Sequence, residues 1–118
     1  MTINADRAIA ALGIRHPVRF EHEDLGSPTA AVNPNDPTVI KVNTLRLHQD
    51  AAETGWTPEQ IIAHELVHVR QMQDIGDPAE AHRLYHWENR VNGYIDNRFE
   101  VQADKLAPIV APLIEVAA

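Results

Sequence analysis

Apolar and polar positions repeat with different periods in the two halves of the chain. In Val18-Arg19-Phe20-Glu21-His22 the period is two, as in a half-buried strand, and Thr38 to Asn43 is a β-branched run of the same kind. Residues 29 to 33 read as another strand, so a small three-stranded sheet is expected. Leu25-Gly26-Ser27-Pro28 and Asn33-Pro34-Asn35-Asp36-Pro37 supply the turns. Ahead of the strands, residues 4 to 12 set Ile9 and Leu12 among alanines and stop at Gly13, which predicts a short first helix. Residues 44 to 53 predict a second, weakly periodic one.

From residue 57 onward the pattern is helical. Thr57-Pro58-Glu59-Gln60 combines a capping hydroxyl, a proline at the first helical position and a glutamine three residues after the cap. The helix it starts should run to Ile75 and stop at Gly76, a length of ~27 Å. Asp77-Pro78-Ala79-Glu80 repeats the signal for a helix to about Arg90, and Asn92-Gly93 is a turn. A last helix is expected from near Asp96 to Leu106, where Ala107-Pro108 should kink or end it. Strands in the first half and helices in the second make an α+β pattern.

Composition narrows the function. With 118 residues and no linker, the chain fits one domain, 1–118, around a single modest core. A formal charge of −7 opposes binding to a phosphate backbone, so nucleic acid is not an expected partner. There is no cysteine, which removes thiol catalysis and cysteine-ligated metal sites. No apolar core stands behind Arg7 to make a signal peptide, and Leu106 to Ala118 is broken by Pro108, Pro112 and Glu115. The expectation is a protein that is cytoplasmic or otherwise soluble, without membrane contact.

Histidine is the unusual residue: there are seven, at 16, 22, 48, 64, 68, 82 and 86. On the long helix, His64-Glu65-Leu66-Val67-His68 sets two imidazoles one turn apart on one face, a spacing that can hold one metal ion. Glu65 stands about 100° around the helix from His64 and about 60° from His68, where it can reach a metal-bound water without being a ligand. The missing ligand should come from another element. Phe99-Glu100-Val101-Gln102-Ala103-Asp104 puts Glu100 and Asp104 one turn apart, the first able to ligate and the second to hold an imidazole by its other nitrogen. The bland alternative is that His64 and His68 are satisfied core histidines.

These residues, His64-Glu65-x-x-His68 followed by Glu100-x-x-x-Asp104, resemble the gluzincin zinc metallopeptidases, a branch of the zincins, and at this length most of all the minigluzincins. The resemblance covers about 50 residues, from the long helix to Asp104; the first helix and sheet match only in order. It implies a zincin-like fold, one Zn²⁺ held by His64, His68 and Glu100, Glu65 as general base, Asp104 orienting a histidine, and a peptide or protein substrate. In one departure, Arg70 stands where such helices usually carry a hydrophobic residue.

Metallopeptidases of this type also use a donor for the oxyanion. Tyr94 is the first candidate, with Tyr85, His82 and His86 as alternatives; either tyrosine could equally be a ring at the core edge. The pair His82 and His86 reads as a solvated or cleft-lining face rather than a second metal site, lacking an acid between its members. Trp56 and Trp87 are expected in packing, and Val39, Ile40 and Val42 in the core. If the strand of Val39 to Val42 is a sheet edge above the cleft, it could pair with an extended peptide. Two rival readings remain: a non-catalytic zinc-stabilised module, and a latent enzyme whose tail, Leu106 to Ala118, lies in the cleft instead of packing on the helices.

Overall fold

The computed structural model describes residues 1–24, 26 and 28–117. In chain order the elements are β1 (Thr2–Asn4), α1 (Asp6–Ala11), β2 (Arg19–His22), β3 (Ala30–Asn33), β4 (Asp36–Val42), α2 (Leu47–Thr54), α3 (Pro58–Ile75), α4 (Pro78–Asn92), α5 (Arg98–Val110), a 3₁₀ turn (Ala111–Leu113) and β5 (Glu115–Ala117). The fold is therefore mixed α+β with two small sheets. The expected turn at 25–28 involves Leu25 and Ser27, which lie outside the described residues.

α3 begins where its cap dictates. The Thr57 hydroxyl accepts from the Gln60 amide and the Gln60 side chain accepts from the Thr57 amide, so two orphan donors are satisfied reciprocally. Its inward face carries Ile62, Ala63, Leu66 and Val69, all fully buried. α5 lies along it in the most extensive helix pairing of the molecule, burying Ala103 and Ala107. The small alanines let the two backbones approach, which decides how far Glu100 stands from the α3 histidines. α3 also packs beneath β3 and β4.

Arg70, out of place for the resemblance, has a structural task. Its guanidinium donates to the Leu12 carbonyl and to Asp74, tying the end of α1 to α3. Gly13 follows with φ of +70°, a backbone conformation that favours glycine, and a Cβ there would stand 2.7 Å from Arg70 Nη1 and displace the guanidinium tip. Gln73 completes the fastening by donating to the Gly13 carbonyl and accepting from the Arg15 amide.

The three-stranded sheet has the order β2-β4-β3, with β2 parallel and β3 antiparallel to β4. Val39, Ile40 and Val42 are in the core as expected. Their strand, however, is central and not an edge; β3 is the edge that meets α3. A connection long enough to return β4 alongside β2 leaves β3 outermost, and no local pattern reveals that order.

The chain ends also differ from expectation. Of the two outcomes expected at Ala107-Pro108, an end is overturned: the last helix does not stop at Leu106 but runs through Pro108 to Val110. An internal proline costs about 3 kcal/mol. Burial of Val110 and Ile114 beside Ala107 and Ala111 offsets it, since an aliphatic side chain of that size contributes about 1.5–3 kcal/mol. Beyond, β5 pairs antiparallel with β1, joining the two termini in a strand pair that the pattern did not predict. Trp56 packs against the core, but Trp87 is 47% exposed and packs in no core. Among the described residues no helix is long and apolar enough to cross a membrane.

Truncation after Leu113 removes Ile114 and β5 and should lower stability by about 2–5 kcal/mol, the usual loss for one large buried aliphatic side chain. Urea denaturation followed by circular dichroism reads the change; an unmoved midpoint would mean that the tail contributes nothing to the fold.

Candidate metal centre

Two helices set the site. α3 presents His64 and His68 one turn apart, with ring centroids separated by 4.7 Å. α5 presents Glu100 in its first turn, and the start of that turn is fixed by Asn97, which is fully buried. The Asn97 side chain accepts from the Phe99 amide and donates to the Tyr85 carbonyl and to Asn89, locking the α4–α5 turn.

The ligand atoms converge. His64 Nε2 lies 3.0 Å from Glu100 Oε2, His68 Nε2 lies 2.9 Å from Glu100 Oε1, and the two Nε2 atoms are 3.1 Å apart. Around one ion with bonds of ~2.0–2.1 Å in tetrahedral directions, donor atoms stand roughly 3.4 Å apart, so the cluster is only slightly tighter than a loaded site requires. His64, His68 and Glu100 could thus hold a metal ion.

The far side of each ring says what the near side must be. His68 Nδ1 lies 2.8 Å from Gln71 Oε1. The Gln71 amide orientation follows from its other contacts, because its nitrogen donates to the Phe99 carbonyl at 3.0 Å and to Gln102 Oε1 at 2.7 Å. Its oxygen must then face His68, whose Nδ1 carries the hydrogen. His64 Nδ1 lies 3.0 Å from Asp104 Oδ1, at an angle too oblique for a well-aligned hydrogen bond, and has no other polar partner. It too faces only an acceptor. With hydrogens on both Nδ1 atoms, neutral rings turn two lone pairs and a carboxylate towards one point, an arrangement that suits a cation at its centre.

Protons bound at the Nε2 atoms are the alternative to a cation there, and the protonation preferences describe that case. Burial alone would raise the Glu100 carboxyl, but its hydrogen bonds from His64, His68 and Tyr85 outweigh that and hold it well below the usual carboxylate range. Burial works against a charged His68, yet the hydrogen bond to Glu100 and the nearby charges of Glu65 and Glu100 push it above the usual imidazole value.

Glu65 projects beside this cluster, not into it. One carboxylate oxygen accepts from the Val32 amide of β3 at 3.2 Å. Burial raises its pKa, opposed by His68 and His64. The Val32 amide is free for this contact because of register. Asn43 donates to the Thr29 carbonyl, so Ala30 and Val32 turn their amides and carbonyls away from β4, towards the free edge. That edge, carrying Ala30, Ala31 and Val32, forms one wall of a cleft of about 550 Å³ floored by α3 and closed opposite by α4.

Both tyrosines reach Glu100. The Tyr85 hydroxyl donates to Oε1 at 2.7 Å, and its ring stacks on Phe99 with centroids 6.3 Å apart. The Tyr94 hydroxyl reaches Oε2 at 3.4 Å from a residue that is 63% exposed, and burial of the phenol together with the Glu100 charge pushes its pKa up to about 12. His82 and His86 line the cleft with them. His16, His22 and His48 do not: His22 is engaged with Thr44, and His16 with its neighbouring carbonyl. The chain matches no family model, no curated protein and no solved structure.

The structure brings together His64, Glu65, His68, Glu100, Tyr94 and Asp104. Sequence reasoning missed Gln71 and Asn97. A signal for Gln71 existed, since it follows His68 by three residues and so shares its face. Replacing it by leucine should lower affinity for Co²⁺ or Zn²⁺ about 10–100-fold, the usual loss when a ligating imidazole loses its outer partner. Competitive titration against a chelator measures this, and an unchanged affinity would separate Gln71 from the site.

Proposed function

We propose that the protein is a zinc-dependent metallopeptidase of gluzincin type. The observation carrying the reading is the convergence of two imidazole nitrogens and one carboxylate on a point beside Glu65, in a cleft walled by a strand edge. An N₂O donor set of this kind suits zinc, and three protein ligands leave a coordination position open, as catalytic sites do and structural ones do not. That favours an enzyme over a zinc-stabilised module. The described tail residues pack around Ile114 and β1, and none of them lines the cleft, which speaks against a tail that blocks it.

Zinc bound there would polarise the scissile carbonyl and make a water acidic enough to attack near neutral pH. The chain does the rest. Glu65, held at one oxygen by the Val32 amide, accepts the proton of the attacking water and returns it to the leaving nitrogen. Its raised pKa brings it nearer the range in which both transfers are easy. The Ala30 amide and carbonyl and the Val32 carbonyl offer an extended peptide a short ladder, so the edge strand that aligns substrate is β3.

Of the two tyrosines, Tyr85 is held by its short bond to Glu100 and its stacking, whereas Tyr94 is more exposed and more loosely bound. Tyr94 is therefore the donor to the developing oxyanion and Tyr85 a positioning residue for Glu100. Two outcomes check this. Glu65→Gln should lower kcat for a fluorogenic peptide by about 10²–10⁴ with zinc stoichiometry intact, and full activity would refute the base. Tyr94→Phe should lower kcat by about 10²–10³ without changing zinc affinity, whereas Tyr85→Phe should weaken zinc binding; the reverse pattern would exchange their roles.

A further inference from the structure

The second histidine pair belongs to a surface that the hydrolytic reading leaves unused. Ala79, His82, Arg83, His86, Trp87 and Arg90 form a groove of about 320 Å³ along α4. All six come from that one helix, at spacings that make a single stripe, and the stripe is continuous with the main cleft because His82 and His86 line both.

The charge of the stripe opposes that of the molecule. The chain carries −7, yet this face holds two arginines and two histidines. The acids beside it are Asp77, which caps the helix at the Ala79 amide, and Glu80, which is taken by Arg83 at 2.9 Å from Nε. Glu88 is buried on the other side of α4, where it accepts from the Arg98 amide and from Asn92. Arg90 is exposed and has no carboxylate partner among the described residues. Between the arginines stands Trp87, half exposed, so the stripe combines fixed positive charge, imidazole donors and an aromatic surface, the residue types that dominate protein recognition.

We propose that this α4 groove binds an acidic segment of the peptide substrate, selecting substrates with Asp or Glu in the stretch that leaves the cleft past His82 and His86. The inference rests on the peptidase reading for its substrate, and on its own charge pattern for its chemistry. Carboxylates seat against Arg90 and the two imidazoles while Trp87 covers the backbone or a neighbouring side chain. The net charge of the protein opposes the approach of an acidic peptide, so selection comes from that general repulsion as well as from attraction within the groove.

Binding and cleavage test it separately. With the zinc-loaded full chain, fluorescence anisotropy should show labelled pentaglutamate binding at least tenfold more tightly than pentaglutamine, and weakening as salt rises. Arg90→Glu should abolish that preference and Arg90→Gln should reduce it, with zinc affinity unchanged in both. Equal binding of the two peptides, or indifference to Arg90→Glu, overturns the groove. So does sedimentation showing a dimer that Arg90→Glu dissociates, since the face would then belong to a second copy. A peptide pool cleaved without acidic preference also overturns the groove and leaves the peptidase reading standing. If no peptide is cleaved while pentaglutamate still binds through Arg90, the groove's anion chemistry stands and the peptidase reading falls.

Discussion

The packing of α5 along α3 governs both the stability and the chemistry of this protein. It buries Ala103 and Ala107, the latter in one core with Leu66 and Val69, and the same contact delivers the Glu100 carboxylate to within 3.0 Å of two imidazole nitrogens. A core contact and a ligand set are thus one event. Bulkier side chains at 103 or 107 would push the helices apart, and a displacement of about 1 Å is already enough to loosen a site whose function depends on convergence. Gln71 strengthens the coupling, because its amide bridges His68 on α3 to the Phe99 carbonyl and Gln102 on α5.

A second constraint is electrostatic. Two histidines whose outer nitrogens face Gln71 and Asp104 must direct lone pairs inward, where Glu100 adds negative charge. Such a cluster is costly to bury without a cation or bound protons. The surrounding residues bear that cost in identifiable ways: Tyr85 and Tyr94 donate to Glu100, and the Val32 amide donates to Glu65. A wholly hydrophobic replacement would cost the fold less, so the arrangement is not one that the fold alone requires.

Much of this was legible in the chain, for reasons that are local. The Thr57 cap and Pro58 set the phase of α3, and helix geometry then places residues four apart on one face without reference to anything else. Glu100 and Asp104 are read in the same manner on α5. Gln71 shares the His68 face and could have been found, but glutamine is common on helices and carries no signal until its partners on α5 are known. Asn97 resembles any turn asparagine until its complete burial is seen. Pro108 misled because its local cost is real; burial of the segment after it is larger.

The sequence by itself determined the starts of α3 and α4 with their caps, the paired histidines and the candidate carboxylates, since each depends on residues within about four positions of one another. Tertiary structure alone decided which strand is the free edge, that the termini pair as β1 and β5, and that Trp87 faces outward on a cationic stripe. It also decided that Glu100 meets His64 and His68 across 36 and 32 positions of chain. Contacts of that range follow from the summed burial of many side chains, which no short window of residues contains.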